Sequence, residues 1–382
     1  MDQLELGALR YRKGDFSLEA SLRLEKGTTG VILGPSGCGK TSLLRCIAGL
    51  EAPESGIISI AGRRVDGLPP EARKTGFMFQ DLALFEHMTG RRNIEYGLNL
   101  RKVDKERKAR IVENLAKTLR MENLLDRMPQ SMSGGERQRL AFARAIATTP
   151  ELLLMDEPLS SLDAPLRREL RLFLRTMLKS AEGITALHVT HDVEEALELA
   201  DTLFIMNSGR ILARGAPEEL YGNPPDAWCV RFLGLGSLLP LEGFEIRQDT
   251  VYARTQAGVL SCPVARCRVG TSGKASGKAW FFAPTAAVTP LLPAENPRMA
   301  ACPRENILCG TIDSSVFQGA FRRLSVKLMG KSSDDNPVLT VEAPLEPMLP
   351  RGTDIRLSFD SALCSILPES ALQTDSVSAG KV

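Results

Sequence analysis

The feature that most limits how this chain can fold is an octapeptide, Gly34-Pro35-Ser36-Gly37-Cys38-Gly39-Lys40-Thr41. It lies between an apolar run, TGVIL (29–33), and a segment, KTSLLRCIAGL (40–50), that carries Leu43, Leu44, Ile47 and Ala48 at helical spacing. The octapeptide fits G-x-x-x-x-G-K-[ST] in its required context, strand before and helix after. The glycines let backbone N–H groups turn toward phosphate oxygens, where a Cβ would obstruct them. Lys40 adds positive charge near the terminal phosphates, the Thr41 hydroxyl can ligate Mg²⁺, and the helix that opens there presents its positive dipole end to the same anion. From average composition the pattern arises by chance in roughly 1% of chains of this length. Cys38 is read as a small residue filling a tight turn.

Around this loop the first part of the chain alternates strands and helices. ELLLMDEP (151–158) is a buried strand ending in acids; ITALHV (184–189) is another, followed by a helical DVEEALELAD, and LFIMNSGRILA (203–213) is a hairpin turning at Asn207-Ser208-Gly209. Such alternation predicts a parallel sheet covered on both faces. Between about residues 88 and 150 the texture is charged and helical with no obvious strand, so a helical insertion is expected. After Gly236 Pro becomes frequent, TSGKASGK (271–278) reads as a polar loop, and the short runs FRRLSVKLM (321–329), VLTVEA (338–343) and DIRLSF (354–359) predict a small β-barrel or sandwich. The expected division is 1–235 for the α/β part with its insertion, 236–367 for the β-rich part, and 368–382 for a fraying tail.

Composition narrows the function classes. Lys plus Arg number 48 and Asp plus Glu 46, a formal net charge of +2, which gives no support to a general nucleic-acid binder. No apolar run approaches the ~18 residues of a membrane span, and the start MDQLELGALRYRKGDF lacks the pattern of a signal peptide. A soluble, cytoplasmic chain is therefore expected. Its eight Cys are sparse, form no C-x-x-C pair and are expected free.

Two further clusters carry chemistry. Asp156 and Glu157 follow Leu152–Met155, so a buried strand delivers both to the carboxyl edge of the sheet, where ligands bind in such folds. One carboxylate can hold Mg²⁺ through water; the next, pointing differently, can polarise an attacking water. Ser133-Gly134-Gly135-Glu136 opens the helix RQRLAFARAIA as a capping box. Its two glycines exceed what a cap requires and let backbone N–H groups approach an anion at a helix N-terminus.

Together GPSGCGKT, Gln80 in FMFQD, SMSGGERQRLAFARAIA, LLLMDEP, SSLDA (160–164) and HVTHD (188–192) resemble, in order and spacing, the ATP-binding cassette (ABC) ATPases. AGLEAPESG, LFEHMT and NIEYGL are similar to the subgroup that energises bacterial solute importers of the maltose, spermidine/putrescine, sulfate, ferric-iron and thiamine types, with a slight lean to the last two. Members commonly append a β-rich regulatory domain of the TOBE type, which NILCGTIDSSVFQGAFRRLSV resembles most. The fold implied is an α/β P-loop NTPase, a RecA-like core plus helical subdomain, followed by an OB/TOBE-like β domain.

The resemblance also implies roles. Gly34 to Thr41, with Ser42, would bind the phosphates of ATP, and Tyr11 would stack on adenine. Thr41, Gln80 and Asp156 would hold Mg²⁺; Gln80 would also touch the attacking water. Glu157 would be the general base and His191 the switch that contacts the γ-phosphate. Ser133, Gly134 and Gly135 would bind the γ-phosphate held by a second copy, and Asp163 would bridge the two copies. The partners implied are that second copy, membrane permease subunits and, indirectly, a periplasmic or lipoprotein solute-binding protein, with the chain at the cytoplasmic face of the cell membrane. A soluble cassette acting on ribosomes or DNA is the alternative; it usually carries two cassettes or a coiled-coil insert, and neither is found here. An oligonucleotide-binding role for the β domain lacks basic patches interleaved with aromatics, and an exporter motor does not suit the appended domain. The chain departs from the family in reading MSGGE for LSGGQ, in Glu86 and Arg92 within FEHMTGRRNI, and in Ala283-Pro284-Thr285 where Arg-Pro-Glu is usual.

Overall fold

A computed structural model describes residues 2–160, 162–179, 183–269, 278–291, 306–330 and 337–369. The expected polar loop at 271–278 falls outside them except for Lys278, as do Ser161 and the tail from 370 onward. The chain divides into two compact units, Met1–Leu220 and Tyr221–Val382. No helix of the described residues is long and apolar enough to cross a membrane.

The first unit is built on a ten-stranded sheet of order β5-β4-β1-β2-β10-β9-β3-β8-β7-β6. Its strands are β1 (Asp2–Lys13), β2 (Phe16–Glu25), β3 (Thr29–Leu33), β4 (Ser55–Ile60), β5 (Arg63–Arg64), β6 (Thr75–Met78), β7 (Leu152–Asp156), β8 (Ala186–Thr190), β9 (Thr202–Asn207) and β10 (Arg210–Gly215). Strands β6, β7, β8, β3 and β9 run parallel, as expected. The remaining pairs are antiparallel except β2 with β10, so the sheet is mixed where a parallel one was expected. The cause is local: FSLEASLRLE alternates exposed and buried residues with period two, so β2 folds back on β1 around the turn between Lys13 and Phe16.

Strands β3, β7 and β8 are buried end to end, because helices cover both faces. On one face α1 (Lys40–Ala48) packs Leu43, Leu44 and Ile47 against Ile32, Leu154, Leu187 and Val189. Each of those fully buried aliphatic side chains contributes about 1.5–3 kcal/mol. On the other face lie α5 (Ala164–Leu178) and α6 (Val193–Leu199), which bury Leu170, Leu174, Ala196 and Leu199. The insertion consists of α2 (Gly90–Leu100), α3 (Lys105–Thr118) and α4 (Gly134–Ile146), capped by Thr89, Asp104 and Ser133. The capping box is complete: Ser133 Oγ accepts the Glu136 N–H at 3.3 Å and Glu136 Oε2 accepts the Ser133 N–H at 2.7 Å.

The division between the units falls within α7 (Pro217–Gly222). The second unit holds α8 (Ala227–Leu233) and the strands β11 (Gly236–Pro240), β12 (Gly243–Arg247), β13 (Thr250–Thr255), β14 (Gly258–Pro263), β15 (Ala279–Pro284), β16 (Val288–Leu291), β17 (Ile307–Phe317), β18 (Arg322–Leu328), β19 (Val338–Ala343), β20 (Asp354–Phe359) and β21 (Ser365–Pro368). They form antiparallel sheets β11-β15-β21, β12-β13-β14 and β16-β20-β17-β18-β19 over one apolar core that includes Phe281, Leu324, Val326, Leu357 and Ile366. Edge strands β16 and β19 lie against each other, so the five-stranded sheet curls into a half-barrel of the OB/TOBE-like kind. Two expectations are corrected here. Pro368 and Glu369 are not a fraying tail: Pro368 ends β21, and Glu369 pairs with Arg231 and accepts the Trp280 indole N–H. The cysteines are not all free: Cys38, Cys46, Cys229, Cys262, Cys267 and Cys364 are, but Cys309 is disulfide-bonded.

Candidate functional site

The carboxyl ends of β3, β6, β7 and β8 meet at one edge of the first sheet, and the phosphate loop, Gln80, Asp156, Glu157 and His191 lie at or just after them. The loop after β3 wraps the start of α1. Its N-cap is Gly39 at φ 108, with no side chain filling the helix end. A Cβ on Gly39 would approach the Phe16 ring to 2.5 Å, so position and backbone both require glycine. The loop is held from behind by the β9–β10 turn, where the Gly209 N–H donates to Cys38 O at 2.9 Å. Burial pushes the Cys38 thiol above its ordinary pKa, away from the reactive thiolate, in keeping with a filler in the turn.

Lys40 is 5% exposed, and its ammonium donates to Gly34 O at 2.9 Å and Pro35 O at 3.0 Å. It also stands 3.7 Å from Glu157 Oε1. Glu157 follows β7 with φ 42, a conformation rare outside glycine, pinned by its own N–H to Val189 O at 3.1 Å. Its Oε2 lies 3.1 Å from His191 Nδ1, and His191 directly follows β8. Thr41 Oγ1 donates to Asp156 Oδ1 at 2.8 Å. Burial raises the Asp156 carboxyl above the ordinary range despite that bond, with the Glu157 charge adding to the rise. Gln80 Nε2 reaches Ser160 Oγ at 3.4 Å, and Ser160 Oγ donates to Glu157 O at 2.9 Å.

These groups surround a cavity of about 470 Å³ lined by Lys13, Phe16, Ser36, Gly37, Gly39, Lys40, Thr41, Ser42, Gln80 and Glu157. Gly34 and Pro35 stand behind it through their carbonyls, Asp156 through Thr41 and His191 through Glu157. A phosphate chain would meet N–H groups, an ammonium and a helix N-terminus there. Thr41 and Asp156 offer hard oxygen donors with a single carboxylate, a set that suits Mg²⁺ shared with phosphate oxygens. Among the described residues no three His, Cys, Asp or Glu stand together as a self-sufficient metal site.

Tyr11 is not on the cavity wall. Alternation along β1 turns it, with Leu9, into the core, where it is 7% exposed. Hydrogen bonding to the Glu51 carboxylate pushes its phenol up to about 12. The aromatic on the wall is Phe16, paired with Lys13 at the tip of the β1–β2 hairpin. Neither residue stood out in the sequence; the period-two run that begins at Phe16 was the available signal. Ser133, Gly134, Gly135 and Asp163 also lie off this cavity. Asp163 caps α5 by accepting the Leu166 N–H at 3.0 Å, and Gly134 and Gly135 pack close to Leu162 and Leu166.

The chain is similar to known proteins over much of its length. The sequence pattern of the ABC transporter family matches residues 18–160. The spermidine/putrescine import ATP-binding protein of Nitratidesulfovibrio vulgaris is 36% identical over 325 residues, covering 84% of this chain and 83% of that protein. The sulfate/thiosulfate import ATP-binding protein of Synechococcus elongatus is 46% identical over 222 residues, 58% of this chain and 64% of the relative. The sn-glycerol-3-phosphate import ATP-binding protein of Rhizobium meliloti is 49% identical over 218 residues, 57% of this chain and 62% of the relative. The chain thus spans less than two thirds of the last two relatives and most of the first. Motif order and sheet topology agree with these matches: the chain belongs to the ABC transporter family, and the relatives it resembles are named as import ATP-binding proteins.

Proposed function

We propose that this chain hydrolyses ATP at the loop after β3 and that the cycle drives uptake of a solute through separate permease subunits. The observation that carries the reading is the convergence of Lys40, Thr41–Asp156, Glu157 and His191 on one cavity from three strand ends. Gly34 to Ser42 cradle the triphosphate, and Lys40 exchanges its loop carbonyls for β- and γ-phosphate oxygens. Phe16 takes the adenine position that the family resemblance implies for Tyr11, since its ring borders the cavity and the Tyr11 phenol does not. Thr41, Asp156 and Gln80 would hold Mg²⁺, which when bound neutralises charge on the β- and γ-oxygens.

Glu157 Oε2 accepts a proton as water oxygen bonds to the γ-phosphorus and the bond to the ADP oxygen breaks. Phosphoryl transfer needs positioning and charge neutralisation more than covalent help from protein. His191 and Lys40 stand on either side of the Glu157 carboxylate, where they both orient it and offset charge on the γ-phosphate. Ser133, Gly134 and Gly135 serve the site of a second copy, an assignment supported by their lying off their own chain's cavity, and Asp163 stands at the same contact. The pair works as a peripheral assembly on the cytoplasmic face of the cell membrane, fed by a solute-binding protein. The relatives' names cover sulfate, polyamine and glycerol phosphate, which suits a subunit that handles ATP while other chains choose the solute.

Equilibrium ATP binding to the purified chain tests the site. Lys40→Ala is expected to weaken affinity at least about tenfold, the worth of one charge-assisted hydrogen bond. Unchanged affinity would remove the cavity from consideration.

A further inference from the structure

One buried pair next to the site has no part in the scheme above. Alternation along β8 turns His188 away from the phosphate loop, toward the face covered by α5 and α6. There His188 is 0% and Glu195 of α6 3% exposed, with Nε2 and Oε1 3.1 Å apart. His188 Nδ1 finds no hydrogen-bond partner among the described residues. Sealing such a pair from water is costly, and an apolar pair of similar size would pack there without that cost.

What the pair does is visible from the other carboxylate oxygen. Glu195 Oε2 accepts the Thr190 hydroxyl at 2.6 Å. Thr190 Oγ1 in turn accepts the Asp192 N–H at 3.0 Å, and Asp192 Oδ1 accepts the Glu195 N–H at 3.0 Å. These bonds close a ring around the single residue between Thr190 and Asp192, which is His191. From α5, Arg167 approaches Asp192 at 3.5 Å, and the 5% exposed Arg171 lies 3.2 Å from Glu194 and 3.5 Å from Glu198. Burial works against an ionised Glu195, yet His188, Thr190 and Arg171 outweigh it and hold the carboxyl below its ordinary range.

We propose that Glu195 is a positioning residue for His191: through the Thr190 hydroxyl it fixes the peptide segment that aims the imidazole at Glu157, with His188 against its other carboxylate oxygen. The inference rests on the catalytic role proposed for His191, and the test separates the two. ATP turnover and ATP affinity of the full chain are measured for Glu195→Gln, Thr190→Val and Thr190→Ser, each in the wild-type and in the His191→Ala background.

The expected result in the wild-type background is a fall in kcat of about tenfold for Glu195→Gln and Thr190→Val, the scale of one coupled contact. ATP affinity stays near wild type, and Thr190→Ser, which restores the hydroxyl, keeps turnover. In the His191→Ala background the same substitutions leave the residual kcat unchanged. An equal loss in both backgrounds, or none in either, overturns the proposal while leaving His191 in place. Full turnover by His191→Ala alone overturns both. Should Glu195→Gln fail to fold, Thr190→Val, of nearly the same shape as threonine, carries the test.

Discussion

At the scale of single residues, strand ends deliver Lys40, Thr41, Asp156, Glu157 and His191 to the site, and a hairpin tip delivers Phe16. Gly39, Lys40, Thr41, Asp156 and Glu157 could be placed from the sequence because each lies within a few residues of a strand end, and a strand end has one position in such a sheet. Tyr11 and Phe16 could not. The family resemblance points to Tyr11, but the wall of the cavity depends on strand register: Lys13 pairs with Phe16, which leaves Phe16 at the hairpin tip and turns Tyr11 into the core. Phe16→Ala is therefore expected to weaken ATP binding by about 1–3 kcal/mol, the worth of one base stacked on an aromatic ring. Tyr11→Phe, which keeps the ring in the core, leaves affinity near wild type. Equilibrium titration with a fluorescent ATP analogue distinguishes them, and the reverse ranking would return the adenine to Tyr11.

At the scale of elements, helix ends and strand pairs set the angles of the site. The alternation in FSLEASLRLE states its own partner: a strand with one apolar face needs an antiparallel neighbour on a half-covered sheet edge, and β1 supplies it. The Glu195–Thr190–Asp192 ring was not legible, because it joins β8 to α6 through side chains whose facing depends on how the helix rolls on the sheet.

The α4 cap makes a pH prediction. The Ser133 backbone N–H, more than any other group, holds the Glu136 carboxyl below its ordinary range. A lowered folded pKa means that the contribution is fully present above the unfolded value of about 4.3 and fades as pH falls through the lower folded value. Thermal unfolding should find Glu136→Ala less stable than wild type at about pH 7, by an amount within the ~0.5–2 kcal/mol range of helix caps. That gap should narrow below about pH 4. A gap independent of pH would mean that the carboxylate charge takes no part in the cap.

At the scale of the whole molecule, the two units answer to different kinds of information. The first is specified by local signals repeated at every strand end. The second is a set of short antiparallel strands around one core. Its β-rich character was legible, but the anchoring of Glu369 depends on contacts between residues far apart in sequence. The proposed two-copy assembly is supported by where the Ser133–Gly135 helix start lies, exposed at its first residue and away from its own chain's cavity. Ser133→Arg should place bulk and charge in the composite site and abolish ATP-driven pairing in a sizing column; dimers that persist with ATP would end the two-copy scheme.

In the proposed cycle the decisive step is the transfer of a proton from the attacking water to Glu157. It is tested most directly by measuring ATP hydrolysis and ATP binding for Glu157→Gln in parallel. Glutamine preserves the shape at φ 42 and removes only the basic oxygen. Hydrolysis should fall at least about 100-fold with ATP still bound; turnover at the wild-type rate would mean that another group takes the proton.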